Sequence, residues 1–227
     1  MAGSLQIPER VRAVCDGAST MIDARWPRST IARPQLLRNH VTSILSLRAP
    51  LLGALAHMQL PDDSVRVDRW LEYLALLERW NRTYNLTAIR DPAEMLTRHL
   101  LDSLAMAAHW QTEELADMGA GAGLPGLPLA ILHPQRRVVL IESNGKKARF
   151  MREVKRSLQL DAVEVVERRA EAYAPAAPMT TATARAVAPI SALGDWCRPW
   201  LSEGGELLAK KGIYYRLWNG LVSGQTL

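Results

Sequence analysis

The glycine-rich segment at residues 117–126 constrains the fold of this chain more than any other feature. It reads Asp-Met-Gly-Ala-Gly-Ala-Gly-Leu-Pro-Gly and lies between an apolar run that predicts a β-strand and one that predicts an α-helix. Glycine is required where a backbone turns tightly or passes close to a ligand, because it has no Cβ. Amide groups at the start of the following helix can face polar groups of that ligand. The segment therefore predicts a strand–loop–helix unit that binds a small molecule.

The spacing of the glycines separates three kinds of loop. The dinucleotide pattern G-x-G-x-x-G does not fit, because the third glycine is Gly123 and Leu124 follows it. A P-loop does not fit either, since the later Gly-Lys pair at 145–146 lacks the upstream glycine and the following Ser or Thr. The pattern D-x-G-x-G-x-G, which starts at Asp117 and includes Gly119 and Gly121, resembles the first motif of the S-adenosylmethionine-dependent methyltransferases.

A carboxylate at the end of the next predicted strand supports a cofactor site. Glu142 occupies the position where α/β nucleotide-binding folds place an acid that accepts hydrogen bonds from ribose hydroxyls. A glycine-rich turn alone can be purely structural, but the two features together favour ligand binding. We therefore expect Asp117, Gly119, Gly121, Gly123 and Glu142 to form part of the cofactor site.

Short apolar strands alternate with helical stretches after residue 114, which is typical of a parallel sheet. The predicted strands are 115–119, 137–142, 163–167, 180–187 and 206–210, and the predicted helices are 124–132, 145–159 and 190–200. This order predicts an α/β fold with a Rossmann-like, doubly wound and mostly parallel sheet, as in class I methyltransferases.

Two amphipathic helices are predicted before the sheet. The first follows Pro61 and ends near Trp80, with a polar break over residues 81–85; the second begins at Asp91-Pro92 and runs to about residue 109. We expect three regions: a poorly defined extension over residues 1–60, a helical cap over 61–110 and a methyltransferase core over 111–227.

The net charge of +5 does not by itself indicate a nucleic-acid partner, because most of the excess lies in residues 1–60, which hold seven arginines and three acids. One cluster in the core remains. The predicted helix after Glu142 carries six cations and one acid: Lys146, Lys147, Arg149, Arg152, Lys155, Arg156 and Glu153. It is either a solvated face or a surface that neutralises RNA phosphates.

Cysteine usage and hydropathy predict a cytoplasmic protein. Cys15 and Cys197 are far apart and belong to no paired motif, so we expect neither a disulfide nor a zinc site. No apolar run approaches the roughly 18 residues that span a bilayer, so we expect no membrane partner. We also expect no metal.

Six ordered strings between residues 80 and 212 resemble one family closely. They are WNxxYNLT from residue 80, RHxxDS from 98, GxGLPGxP from 121, SNGKKxRF from 143, RAVA from 185 and AxKG from 209. They are similar to the bacterial 16S ribosomal RNA guanine-N7 methyltransferases, the glucose-inhibited division protein B family. The resemblance implies methyl transfer from S-adenosylmethionine to N7 of guanine 527, with 16S rRNA or the small ribosomal subunit as partner.

The resemblance also implies site residues where this sequence matches the family. Gly119 and Leu124 match the glycine loop, Ala170 and Glu171 match the pair set against the adenine, and Arg185 matches an arginine at the end of the fourth strand. Arg185 has two possible roles, as partner of the cofactor's methionine carboxylate or of an RNA phosphate; a solvated strand end is the third interpretation.

We expect RNA contacts from Lys146, Lys147 and Arg149 on the basic helix and from Lys211 at the end of the fifth strand. The departures from the family pattern are mild and remove no ligand. Met118 and Ala120 stand where Val and Thr are more usual, and Lys210 precedes Lys211.

No catalytic side chain is predicted, because guanine N7 carries a lone pair and no proton, so its methylation needs placement rather than a general base. A cytosine-C5 enzyme would need a nucleophilic cysteine motif, and an amino-directed adenine enzyme usually carries Asn/Asp-Pro-Pro-aromatic where this chain reads RAV from residue 185. A small-molecule methyltransferase and a non-catalytic RNA- or ribosome-binding protein remain as alternatives.

Three further side chains have more than one interpretation. His99 and Asp102, three apart on a predicted helix, can pair with each other or fasten that helix to a neighbour. Tyr84 can belong to the core or stack on a base.

Only fifteen residues follow Gly212, whereas the fold class usually continues with a helix and an antiparallel strand pair, on the order of 30 residues. We therefore expect a chain truncated or altered after about residue 212, without that strand pair and with the fifth strand as an unpaired edge. The protein should be monomeric unless the edge drives association.

Overall fold

The computed structural model describes residues 44–185, 188–211, 213–218 and 221–223. Its α-helices in these ranges are α1 (Arg48–Met58), α2 (Ser64–Tyr84), α3 (Pro92–Met95), α4 (Asp102–Leu104), α5 (Gly126–Leu132), α6 (Gly145–Ser157) and α7 (Ile190–Cys197). A π-helical segment, Leu96–Leu101, joins α3 to α4, and 3-10 turns lie at Ala105–Ala108 and Ala170–Ala172. The strands are β1 (Glu114–Met118), β2 (Arg137–Ile141), β3 (Val163–Val166), β4 (Met179–Arg185), β5 (Leu201–Lys211), β6 (Ile213–Trp218) and β7 (Leu221–Ser223).

The strands form one sheet in the order β3-β2-β1-β4-β5-β6-β7. The first five are parallel, and the order reverses between β1 and β4. Open α/β sheets bind ligands at such a reversal, beyond the carboxyl ends of the strands. The predicted Rossmann-like, mostly parallel sheet is confirmed, and its strand bounds differ from the predicted ones mainly at β5, which begins five residues earlier.

Both faces of the sheet are covered, which explains why its strands read as continuous apolar runs. In β2, Val138 and Leu140 belong to the core cluster under α1, α2, α5 and α6, whereas Val139 and Ile141 belong to a second cluster on the other face. Leu193 and Cys197 of α7 cover that second face. The alternation follows directly from the period of two residues in a strand.

Helix α2 begins and ends at polar caps. The side chain of Asp63 accepts from the backbone N–H of Arg66 at 3.1 Å, and Asn85 ends the helix in the left-handed conformation. The helix continues through the predicted polar break, because the buried Asn81 amide donates to the Ile89 carbonyl and accepts from the backbone N–H of Thr87, both at 2.9 Å. An asparagine satisfied in this way costs little inside a helix.

Residues 48–58, which the sequence placed within the extension, form α1 in the structure. Leu51 and Leu55 are fully buried in the core cluster that also includes Leu74 and Leu77 of α2. Residues 1–43 of the predicted extension lie outside the described ranges.

The predicted absence of a strand pair after β5 is wrong. β6 pairs antiparallel with β5 from Lys211–Ile213 to Glu206–Trp218, and β7 pairs with β6, so β5 is not an edge. The prediction assumed an intervening helix, but β6 begins two positions after β5 ends. Its Ile, Tyr and Trp residues are ones that favour strands. Truncation or alteration after residue 212 stays a prediction. Because β6 pairs with β5, we no longer expect an unpaired β5 to drive association.

No helix within the described ranges has the length and apolarity to cross a membrane. No group of three or more His, Cys, Asp or Glu side chains in those ranges could hold a metal ion. Cys197 is a buried free thiol whose pKa is raised to about 11 by burial.

Candidate cofactor site

A cavity of about 500 Å³ opens beyond the carboxyl ends of β1, β2 and β4, where the strand order reverses. Its volume is in the range of small-molecule sites. The lining residues are Leu86, Thr87, His99, Gly119, Ala120, Gly121, Ala122, Leu124, Ile141, Glu142, Ser143, Lys147, Arg168, Arg169, Ala170, Glu171, Arg185 and Trp196. Seven of the nine predicted cofactor residues are among them.

The loop after β1 forms one wall of the cavity. Gly119, Gly121 and Gly123 have φ angles of 69°, 59° and 81°, in the left-handed region that favours glycine. The backbone N–H groups of Gly119 and Ala120 both donate to the Ile141 carbonyl, at 2.8 and 3.0 Å, which ties the loop to the end of β2. Gly119 and Gly121, which the sequence predicted to bind the cofactor, both line the cavity.

Asp117 and Gly123, also predicted to bind the cofactor, do not line the cavity but support the loop from behind. A Cβ at Gly123 would lie 2.2 Å from Leu127 Cδ1, so the missing side chain makes room for α5 rather than for a ligand. The fully buried Asp117 accepts from the backbone N–H of Gly126 at 2.9 Å and so holds the start of α5. The sequence pattern could not separate contact from support, because both demand the same residues.

The environment of Asp117 disfavours its charged form. Burial raises its pKa to about 7, against the opposing effects of the Gly126 hydrogen bond and the nearby Arg185 guanidinium. Its Oδ1 atom has no hydrogen-bond partner within the described residues.

We expect this acid to make the protein less stable as the pH rises from about 4 to 7. In that window the folded protein keeps the proton that the unfolded chain, with a pKa of 3.8, has already lost. Thermal unfolding between pH 4.5 and 8 should show a smaller loss of Tm for Asp117→Asn than for the wild type. Asp63→Asn is the control, because the pKa of Asp63 is lowered below 3.8 and its effect falls outside the window. Equal slopes for the wild type and Asp117→Asn would contradict the assignment.

Glu142 joins two loops at the cavity wall. Its Oε2 accepts from the backbone N–H of Gly121 at 2.9 Å, and its Oε1 accepts from that of Asn144 at 2.8 Å. A carboxylate has about four acceptor positions, so each oxygen keeps capacity for a ligand hydroxyl. The sequence predicted this acid as a ribose ligand, and the structure adds a role in fixing the glycine loop.

The segment after β3 supplies a second wall. Ala170 is buried and Glu171 is exposed, and both line the cavity together with Arg168 and Arg169. The Nη1 atom of Arg169 lies 3.8 Å from the Oε1 atom of Glu171, which makes the two side chains an ion pair. The two arginines were missed by the sequence interpretation, although they directly precede the matched Ala-Glu pair.

Arg185, at the carboxyl end of β4, forms a salt bridge with Asp102. Their atoms Nη1 and Oδ2 lie 2.8 Å apart, and the side chains are only 19% and 10% exposed. A guanidinium has five N–H donors, so this contact leaves donors for a ligand in the cavity. The interpretation of Arg185 as a solvated strand end does not fit this geometry, whereas pairing with a carboxylate and pairing with a phosphate both remain.

His99 and Asp102 take different partners. The structure pairs Asp102 with Arg185 and brings the His99 Nε2 atom within 2.8 Å of the Thr87 hydroxyl. Both Thr87 and His99 line the cavity, and neither was predicted to do so. The string Asn-Leu-Thr at residues 85–87 was the available signal, but it gave no indication of which way its side chains face.

Helix α2 holds the glycine loop from outside the sheet. The Tyr73 hydroxyl donates to the Ala122 carbonyl at 3.0 Å, and the Trp70 Nε1 atom donates to the Pro128 carbonyl at 3.2 Å. Both aromatic side chains are fully buried. The N-terminal helices therefore help to shape the cavity.

The basic helix predicted to contact RNA is α6, which begins beside the cavity. Lys147 lines the cavity, and Lys146 and Arg149 are exposed. Arg152 and Arg156 are compensated by carboxylates, through contacts of 2.9 Å each to Glu167 and Glu153. Three cations thus lie near the cavity end of α6, and Lys155 lies in its last turn. The side chain of Lys211 lies outside the described part of the chain.

Tyr84 is 38% exposed, and its ring contacts that of Trp80 in a tilted arrangement, with ring centroids 5.2 Å apart. Trp80 in turn packs on Phe150 of α6, with ring centroids 5.7 Å apart. This partly exposed position agrees with both interpretations of Tyr84, as a core residue and as an aromatic ring on which a base could stack.

Comparison with known proteins gives one consistent family. The family model for rRNA small subunit methyltransferase G matches residues 67–217. A curated relative of that name from Xanthomonas axonopodis pv. citri (strain 306) is 58% identical over 144 residues, which is 63% of this chain and 68% of the relative. Another from Stenotrophomonas maltophilia (strain K279a) is 53% identical over 169 residues, covering 74% of this chain and 79% of the relative.

Among solved structures, precorrin-6y C5,15-methyltransferase from Geobacter metallireducens GS-15 is similar over 42% of this chain and 52% of its own, with 19% sequence identity and a TM-score of 0.38.

Proposed function

The chain belongs to the rRNA small subunit methyltransferase G family, and we propose that it methylates N7 of guanine 527 in 16S rRNA. It is an S-adenosylmethionine-dependent methyltransferase. The observation that supports a working site most directly is the cavity at the strand reversal, whose wall includes the glycine loop and Glu142, hydrogen-bonded to each other.

The residues of the cavity fit the cofactor. Gly119 and Gly121 offer backbone without side chains, and a Cβ at Gly121 would point into space where the nearest heavy atom is 3.9 Å away. Glu142 would accept from the ribose hydroxyls, Ala170 and Glu171 would lie against the adenine, and Arg185 would pair with the methionine carboxylate. Leu124 completes the apolar lining.

When bound, S-adenosylmethionine supplies a methyl group on a sulfonium, and guanine N7 supplies the lone pair that receives it. No side chain has to remove a proton, so the residues of the chain act by placement. The glycine loop and Glu142 fix one end of the cavity. Arg185, itself held by Asp102, fixes the other.

The RNA would lie across the cavity mouth and the adjoining end of α6. Lys146, Lys147 and Arg149 place three cations at that end of the helix, which suits backbone phosphates. The likeness to the family supports 16S rRNA or the small ribosomal subunit as the substrate, and the cytoplasm as the location.

The test is to incubate the purified chain with labelled S-adenosylmethionine and small subunits from cells that lack this modification. We expect about one methyl group per 16S rRNA, mapped to N7 of guanine 527 by chemical cleavage at N7-methylguanine. Cofactor binding without any RNA methylation would favour the non-catalytic RNA-binding alternative. Methylation of small molecules with no preference for RNA would favour the other one.

A further inference from the structure

One end of the cavity carries a hydrogen-bonded pair that the proposed function does not use. Thr87 follows α2 and His99 lies in the π-helical segment, and both line the cavity. The pair lies at the Arg185 end, because Arg185 acts electrostatically on His99 and is bonded to Asp102, three residues further along. Glu142 and Arg185 end strands on opposite sides of β1. If Glu142 holds the ribose, the methyl group and the base that receives it lie toward Thr87.

The positions of the protons in this pair follow from its neighbours. The His99 Nδ1 atom lies 3.2 Å from the carbonyl oxygen of Arg98, which can only accept. Nδ1 therefore carries the proton of the neutral ring, and Nε2 has a lone pair. The Thr87 hydroxyl, 2.8 Å from Nε2, must then be the donor.

The imidazole of His99 is neutral at physiological pH. Burial lowers its pKa to about 4, and the Arg185 guanidinium acts in the same direction. The direction of the Thr87–His99 hydrogen bond is therefore maintained under working conditions.

Thr87 is thereby left as an acceptor. It gives its only hydroxyl proton to His99 and accepts from the backbone N–H of Ile89 at 3.2 Å, which leaves one of its two acceptor positions without a partner within the described residues. The Asn81 amide holds this loop at both Thr87 and Ile89. The cavity thus presents a fixed oxygen that can accept a hydrogen bond but cannot donate one.

We propose that the Thr87 hydroxyl oxygen is a specificity determinant for the target base and accepts a hydrogen bond from N1–H of guanine. The inference rests on the proposed function. Guanine carries a hydrogen on N1, whereas adenine has a lone pair there, so an acceptor at this place favours the first and repels the second. Flipped or unpaired bases are commonly recognised at this Watson–Crick edge.

The first arm of the test changes the RNA and leaves the protein intact. Small-subunit RNA is prepared with inosine, which keeps N1–H, or 2,6-diaminopurine, which lacks it, at the target position. For the wild type we expect kcat/KM with inosine within a few fold of guanine, and with 2,6-diaminopurine lower by roughly tenfold or more. Equal methylation of inosine and 2,6-diaminopurine would overturn the proposal.

The second arm changes Thr87. Thr87→Val keeps the shape but removes the oxygen and should lower kcat/KM for guanine by roughly tenfold. It should also shrink the preference for inosine over 2,6-diaminopurine. The latter base lacks O6 as well as N1–H, but the effect of O6 is the same in the wild type and in Thr87→Val, so a change in the preference reports on N1–H. Thr87→Ser should restore rate and preference. The affinity of S-adenosylmethionine, measured by calorimetry, should stay unchanged in both variants.

The outcomes distinguish a failure of the proposed function from a failure of the role of Thr87. A wild type that binds S-adenosylmethionine but methylates none of these RNAs overturns the proposed function and this inference with it. A wild type that methylates guanine, together with a Thr87→Val variant that has the same rate and the same base preference, overturns only the role of Thr87.

Discussion

Gly119→Val is expected to abolish S-adenosylmethionine binding while leaving the protein folded. Gly119 has a φ of 69°, which a β-branched residue rarely adopts, and it lies in the cavity wall. The valine side chain would therefore both strain the loop and occupy ligand space. We expect at least a hundredfold loss of affinity by isothermal titration calorimetry, with circular dichroism unchanged.

A matched control separates strain from occlusion. Gly204, near the start of β5, has a φ of 76°, and a Cβ there would meet nothing within 4 Å. Gly204→Val should show a similar strain cost, on the order of 1–3 kcal/mol in the free energy of unfolding, but normal cofactor affinity. If both variants lose affinity to the same extent, the effect is general destabilisation and the site is misplaced.

Reversing the three charges at the start of α6 is expected to have the second large effect, on RNA binding. The triple variant Lys146→Glu, Lys147→Glu and Arg149→Glu should weaken binding of small-subunit RNA strongly. It should also flatten the dependence of log K on log salt by roughly 0.7 to 0.9 for each phosphate that the helix no longer neutralises. Filter binding at several salt concentrations measures both quantities.

Two further variants define what such a result means. Lys147 lines the cavity, so the double variant Lys146→Glu and Arg149→Glu tests RNA binding without altering the cofactor site. Arg152→Gln with Arg156→Gln removes charges that Glu167 and Glu153 already compensate and should change the salt slope little. An unaltered slope in the triple variant would make this end of α6 a solvated face.

The sequence predicted the parallel part of the fold well because its signals are local. Strand and helix periodicity, the glycine loop and the Asp91-Pro92 helix start each depend on neighbouring residues, and the structure places each element within a few residues. One failure was α1, which the sequence left within the extension, and another came after residue 212, where the prediction assumed a helix before the next strand. Pairing of β6 with β5 depends on contacts across the sheet, which no local pattern reveals.

The candidate site could be predicted only in part, for a related reason. Motif positions indicated Gly119, Glu142 and Arg185, and these line the cavity. They did not indicate that Asp102, from a different element, would hold Arg185. Nor could spacing show that Thr87 and His99 meet, because they are twelve positions apart and His99 lies in a π-helical segment, which the sequence did not predict. Residues that only tertiary packing brings together carry no signal in the local sequence.

The bonds from Tyr73 and Trp70 to the backbone around the glycine loop also tie local dynamics to occupancy. Any transient detachment of α2 must break them and disturb the Ala122 carbonyl beside the cavity, so detached states should bind the cofactor poorly. A ligand at one hundred times its Kd then makes such openings rarer by about 2.7 kcal/mol. Amide hydrogens in α2 should therefore exchange more slowly with solvent once the cavity is filled, although none of them needs to touch the ligand. The stability of α2 therefore depends on whether the cavity is occupied, although the cavity is built mainly on the sheet.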